Sequence, residues 1–273
     1  MIIWLSEPKE RLEGVHILGV HKGGTTRIFE VLTSHAKICG TTPKQHLYFY
    51  SDEFSTTFDQ FKLFTAIDAF TDQKFVDATP DHFFDLRAVN NIRLLENNRL
   101  MLVSLRNPID RAYSHWVMNN GSNKRLQFLS DPPISCIERG LYYKALKTYM
   151  SVDVGGFGVA IFEQWTEQEN IFFGEIAKLL KIDKELFSFQ QASKNAPYKS
   201  LAVKNLVRNV PRELRSMFPR TIRSYIRSKI TGYARQGFLT VDEKMELLPL
   251  FKSDIEASSD LLNFDLMRIW NLK

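Results

Sequence analysis

The chain has 273 residues, 44% of them hydrophobic and 25% charged, with a formal net charge of +5 at pH 7. This balance excludes a disordered or fibrous chain, and the length accommodates one α/β domain over 1–273 with a sizeable core. No apolar stretch reaches 18 residues, the run Met1–Leu5 is too short for a signal-peptide core, and two cysteines, Cys39 and Cys136, make neither a disulfide framework nor a zinc site.

In chain order, Val15–Val20 reads as a buried strand, followed by a turn over Lys22-Gly-Gly-Thr-Thr26 and a helix over 25–35. Strands at 37–40, 74–78, 100–105 and 158–162 are interleaved with helices at 54–66, 82–97, 108–119, 135–150, 170–181, 203–229 and 241–262. Asn107 is a natural N-cap and Pro108 a natural first helical residue. Such alternation predicts a three-layer α/β sandwich around a central parallel sheet. Asn120–Pro133 is polar and turn-rich and reads as a surface connection, with a lid over the acceptor site as the alternative.

Two segments carry chemistry. In Gly19-Val-His-Lys22-Gly23-Gly24-Thr25-Thr26 the glycines permit a tight turn and close ligand approach, the threonines open a helix whose free N–H groups face that turn, and Lys22 adds a charge. It is not a Walker A loop, because the Lys precedes the glycine pair; taken alone, it reads equally as a plain strand–helix turn. In the second segment, Arg106-Asn-Pro-Ile-Asp-Arg-Ala-Tyr-Ser114-His-Trp, Arg106 ends a strand and Ser114 lies on the following helix. Both are able to face an anion outside the carboxyl end of the sheet.

Together these segments resemble those of the sulfotransferases that use 3′-phosphoadenosine 5′-phosphosulfate (PAPS), in particular the carbohydrate (heparan-sulfate-like) and bacterial ones. The resemblance extends to Gly140-Leu-Tyr-Tyr, to Gly158–Phe162 with Glu163-Gln-Trp, to Asn170–Ile182 and to Leu247–Trp270. It implies a P-loop-like phosphosulfate turn made by Lys22, Gly23, Gly24, Thr25 and Thr26. It also implies that Arg106 and Ser114 hold the 3′-phosphate, with Arg235 of Gly232-Tyr-Ala-Arg235 as a further donor-site residue. Sulfuryl transfer then rests on positioning and electrostatics, with Lys22 stabilising the transferring group.

At the base the pattern breaks. Where relatives carry a Glu, Pro43-Lys-Gln45-His46-Leu-Tyr-Phe-Tyr50 has Gln45, which cannot accept a proton. The neighbouring His46 is the candidate base, with Gln45 orienting it, provided the backbone there is irregular. Asp77 and Asp81 are alternative bases; their segment, Asp77-Ala-Thr-Pro80-Asp81-His82, resembles the substrate-side stretch, and its Asp and Pro residues also suit an ordinary turn. Where some carbohydrate members carry a Lys two residues before that Pro, this chain has Ala78. None of the six His occupies a paired metal spacing, so no metal is expected, and His21 is expected only to flank the donor anion.

Residues 199–235 hold ten Lys or Arg and one acid, a local charge of +9 against +5 overall, leaving −4 for the remainder. Three readings stand: a solvated helical face, a nucleotide or anionic-acceptor contact, or peripheral contact with an anionic membrane. Nucleic acid is not expected, since no reader motif or aromatic platform accompanies the charge. The functional expectation is a cytoplasmic sulfotransferase acting on a hydroxyl, with carbohydrates and lipid-linked sugars as the candidate acceptors. A PAPS-binding protein that has lost its base and a P-loop-type kinase are the alternatives, as is a lumenal domain cut from a membrane-anchored parent. The acceptor's identity and the oligomeric state are not legible.

Overall fold

The computed structural model describes residues 2–50, 54–65, 73–95, 98–120, 125–152, 155–189 and 239–272. The predicted helix at 203–229 and the basic stretch 199–235, Arg235 included, lie outside them. Six strands form one sheet: β1 (Ile2–Ser6), β2 (Gly14–Gly19), β3 (Ile38–Gly40), β4 (Lys74–Ala78), β5 (Arg99–Leu105) and β6 (Phe157–Ile161), in the order β1-β6-β5-β2-β4-β3. All neighbours are parallel except β1, which runs antiparallel to β6.

The side-chain alternation of the strands makes three layers. Val15 and Ile17 of β2, with Leu100 and Leu102 of β5, pack under α1 (Thr25–Thr33) and α9 (Glu169–Leu180). On the other face, Leu18, Met101 and Val103 pack under α3 (Leu86–Leu94), α4 (Pro108–Asn120), α7 (Tyr143–Tyr149) and α11 (Lys252–Leu262). Strands buried on both faces need apolar residues throughout, which is why they read as unbroken runs. After β2 the chain builds β3 and β4 on one side, then crosses to place β5 on the other. The crevice between the carboxyl ends of β2 and β5 is therefore a topological switch point, where open α/β sheets bind ligands.

The sheet is mixed at one edge, because Ile2–Ser6 adds a strand that the sequence reading passed over. Helix boundaries also shift. The helix expected at 82–97 begins as a 3₁₀ turn, His82–Phe84, and becomes α3 only after Asp85, whose carboxylate caps the N–H groups of Arg87 and Ala88. The helix expected at 135–150 is two, α6 (Ile134–Glu138) and α7, separated by a turn containing Gly140, where a Cβ would lie 2.8 Å from the Phe251 ring. Pro249 similarly divides 241–262 into α10 (Val241–Leu247) and α11, joined by a 3₁₀ turn. Within the stretch expected as a surface connection lies α5 (Arg125–Ser130), and Arg125 pairs with Glu243 of α10.

Candidate active site

The loop after β2 is locked against β5. The Ser104 hydroxyl donates to the Gly23 carbonyl (2.6 Å) and accepts the Trp165 indole N–H (2.8 Å). A Cβ on Gly23 would lie 2.4 Å from the Ser104 carbonyl oxygen, and one on Gly24 would lie 2.4 Å from Trp165. Gly24 also has φ +84°, a conformation that side chains disfavour. It directly precedes α1, whose first turn contains no acidic residue and receives no side-chain cap. The first amides of that helix are thus left without a side-chain cap, a geometry that suits an anion.

Arg106 leaves β5 beside this loop. Its Nη1 donates to the Lys22 carbonyl (3.0 Å), its guanidinium lies over the Phe162 ring (4.8 Å), and its own carbonyl accepts the Tyr142 hydroxyl (2.8 Å). Asn107 caps α4 as predicted, accepting the N–H groups of Ile109 and Asp110. Glu163 accepts both the Asn107 N–H (3.0 Å) and the Trp270 indole N–H (3.0 Å), tying α8 (Phe162–Glu167) and the end of the chain to the start of α4. Ser114 is buried on α4.

Several cations lie close to one another here. Burial and the nearby Arg106 charge push the Lys22 ammonium below its ordinary value. Burial first, then the positive fields of Arg139 and Arg106, do the same to Arg111, once the opposing Tyr142 and Cys136 are set against them. His115 is pushed down to about 4 by burial, then by Arg111, His21, Arg139 and Lys22. Mutual repulsion of this kind is relieved by an anionic ligand.

Beside the loop opens a cleft of about 620 Å³ lined by Gln45, Tyr50, Asp81, Asp85, Arg87 and Arg139, among others. Asp81 accepts from the His21 ring (Nε2–Oδ2 3.1 Å) and pairs with the Arg139 guanidinium. The His21 bond, outweighing burial and assisted by Arg139, holds its carboxyl well below the usual range. His21 stacks on His115, with ring centroids 5.7 Å apart and planes 5° from parallel.

Under the cleft floor lies a cluster that sequence reading missed as a unit. β2 and β4 pair His16 directly with Asp77. His16 Nε2 and His46 Nε2 each lie 2.7 Å from one of the two Asp77 oxygens, and His16 Nε2 is hydrogen-bonded to His82 Nδ1 (2.9 Å). All four residues are buried. Burial lowers the pKa of both His16 and His82. Burial alone would raise the Asp77 carboxyl; His46 and His16 outweigh it and hold it well below its ordinary value. His16, Asp77 and His82 present three ligand-type atoms to one another, but the shorter contacts have hydrogen-bond lengths. The buried Arg99 already supplies positive potential to Asp77, so a dication there would face a cation with one carboxylate to balance both.

The expected site residues thus divide. Lys22, Gly23, Gly24, Thr25, Thr26 and Arg106 come together at the switch point, while Gln45 and Asp81 line the adjoining cleft. Asp77 and His82 lie beneath it, and Pro80 is buried beside them, so none of these three is exposed to an acceptor. His46, the expected base, lines the cleft but is nearly closed off from it. Its side chain is 1% exposed, Nε2 is directed at Asp77 and Nδ1 accepts the Tyr48 N–H (3.4 Å). Its orienting partner is Asp77 rather than Gln45, which is exposed. The period-2 pattern of His16 and Asp77 among apolar neighbours was the signal that they share a face. Their pairing required the register.

No helix among the described residues is long and apolar enough to cross a membrane. No protein-family model and no curated protein matches the sequence. Among solved structures, a sulfotransferase from Alicyclobacillus acidocaldarius superposes with a TM-score of 0.58 at 17% identity, over 96% of this chain and 99% of that one. The sulfotransferase domain of the Synechococcus PCC 7002 olefin synthase aligns at TM-score 0.44 and 12% identity over 88% of this chain and 96% of its own. That of the curacin biosynthetic pathway aligns at 0.44 and 12% over 70% and 83%. The fold assignment rests on the first: the described residues of this chain have the fold of that sulfotransferase.

Proposed function

We propose that the chain is a PAPS-dependent sulfotransferase acting on a hydroxyl acceptor. The observation that carries this reading is the convergence, at the switch point, of an uncapped helix N-terminus, Lys22 and Arg106. Such a site suits a ligand with two separate anionic groups. The donor supplies an activated sulfuryl group: the acceptor oxygen bonds to sulfur, the sulfur–oxygen bond to the 5′-phosphate breaks, and its electron pair stays on that phosphate. The amides of α1 and the Lys22 ammonium stabilise that charge without rearranging. Arg106 and Ser114 fix the 3′-phosphate, and the acceptor enters through the cleft at Gln45 and Asp81. We assign the acceptor to carbohydrate or lipid-linked hydroxyls from the resemblance alone.

The test is calorimetric binding of adenosine 3′,5′-bisphosphate, with ATP and 5′-AMP as controls. Binding that requires the 3′-phosphate supports the reading; equal or tighter binding of ATP overturns it in favour of a kinase-like site. One observation favours a second reading: the exposed Gln45 stands where the resemblance expects a Glu. A non-catalytic binder would bind the bisphosphate and turn over no acceptor.

A further inference from the structure

We propose that His21, oriented by Asp81, takes the proton from the acceptor hydroxyl; the inference rests on the sulfotransferase reading. His21 immediately precedes Lys22 in the donor loop, so its backbone belongs to the structure that holds the leaving group. Asp81 is held ionised by His21 and Arg139, and an ionised carboxylate only accepts hydrogen bonds. The 3.1 Å contact from His21 Nε2 to Asp81 Oδ2 therefore places the imidazole proton on Nε2. Nδ1 keeps its lone pair, and among the described residues it has no hydrogen-bond partner. A carboxylate that fixes the tautomer and stabilises the imidazolium as it forms is the arrangement by which histidine serves as a general base.

The surroundings agree. Asp81 and Arg139 line the cleft that Gln45 also lines, so Asp81 links the wall of that cleft to His21 in the donor loop. The ring stacked behind it, His115, is kept neutral by its depressed pKa, and a neutral ring does not oppose charge on His21. The competing bases are weaker by geometry: His46 reaches the cleft with a side chain only 1% exposed, its Nε2 beside Asp77 and its Nδ1 accepting the Tyr48 N–H, Gln45 has no basic atom, and Asp81 is doubly paired. The step balances: the proton moves from the acceptor oxygen to His21 Nδ1 while that oxygen bonds to sulfur, and the leaving phosphate keeps the electron pair.

The test uses His21→Gln, His21→Ala and Asp81→Asn with PAPS and acceptors of graded acidity: water, trifluoroethanol, phenol and 4-nitrophenol. Adenosine 3′,5′-bisphosphate binding is measured alongside. For His21→Gln, the expected result is nucleotide affinity within about threefold of wild type and transfer to trifluoroethanol reduced about 10²- to 10³-fold. The loss should shrink below about tenfold for 4-nitrophenol, which ionises without help. Asp81→Asn should follow the same trend more weakly, and added imidazole should partly restore His21→Ala. A loss equal across the panel, or none, overturns the proposal. So does a wild type that binds the bisphosphate through its 3′-phosphate yet transfers to none of the four, an outcome that leaves the donor site standing. Failure of bisphosphate binding in the wild type refutes instead the sulfotransferase reading beneath it.

Discussion

Replacing Arg106 by Ala removes the guanidinium that bridges the donor loop and the end of β5. A hydrogen bond to a charged group contributes about 1.5–3 kcal/mol, so losing the assigned 3′-phosphate contact should weaken adenosine 3′,5′-bisphosphate roughly 10- to 150-fold. Two features pull the value toward the lower end. Arg106 is half-buried, so solvent screens part of its charge. Its removal also relieves the repulsion that depresses Lys22. Because Arg106 also holds the Lys22 carbonyl, a weakened affinity alone would not separate lost charge from a displaced loop. Calorimetry with adenosine 5′-phosphosulfate, which lacks the 3′-phosphate, makes the separation: the variant should bind it within about threefold of wild type. Arg106→Lys should fall between, retaining charge without the planar fork. A loss of equal size for both nucleotides, or less than threefold for the bisphosphate, would refute the assignment of Arg106 to the 3′-phosphate.

The protein should be acid-labile in a stated window. His16 and His82 are held below their ordinary value of 6.5, so below that pH the unfolded chain binds protons that the native cluster refuses. Stability is full above 6.5 and falls by up to about 1.4 kcal/mol per pH unit for each imidazole that stays neutral. The depressed Asp77 adds a further loss below its ordinary 3.8. Urea titrations at pH 7.5, 6.5 and 5.5 check this, and a flat profile would contradict it. Ser104→Ala strands the Gly23 carbonyl and the Trp165 N–H, and should cost about 2–4 kcal/mol in denaturant midpoints while loosening nucleotide binding. Gly24→Ala, with its positive φ and a Cβ against Trp165, should cost about 2–4 kcal/mol in the same assay; a neutral result would mean that the loop readily shifts away from Trp165.

Much of the framework was legible because local chemistry and global fold agree. Val15–Val20 and Leu100–Leu105 are strand-length apolar runs, Asn107-Pro108 announces a helix, and Lys22-Gly-Gly-Thr-Thr announces the tight turn from strand to helix. What escaped depended on pairing between distant segments. Ile2–Ser6 is strand-like but becomes a strand only through β6, more than 150 residues away. Ser104 looked like one polar residue in a strand, and its purpose appears only where the loop carbonyl and Trp165 converge on it. His46 looked available because adjacency to Gln45 was the one geometric fact in view; its partner, Asp77, comes from another strand. His21 was read as a flank to the anion because Asp81 lies 60 residues further on.

Gln45, where the resemblance expects a Glu, bears electrostatically on where the proposed base lies. Asp81 and Asp85 face Arg87 and Arg139 along the cleft, so its ionisable walls balance. A carboxylate at position 45 would tip that balance negative beside a site meant for a multiply charged anion, and like charges at such distances repel even through solvent. If the proton is taken at His21, Gln45→Glu gains nothing and adds repulsion. It should leave kcat within about threefold of wild type and raise KM for PAPS modestly, more so at low ionic strength, where screening is weaker. Steady-state kinetics at two salt concentrations decide the matter. A more than tenfold rise in kcat for Gln45→Glu, persisting in a Gln45→Glu, His21→Gln double variant, would place the proton transfer at position 45 and leave the His21–Asp81 pair a structural tie between loop and cleft.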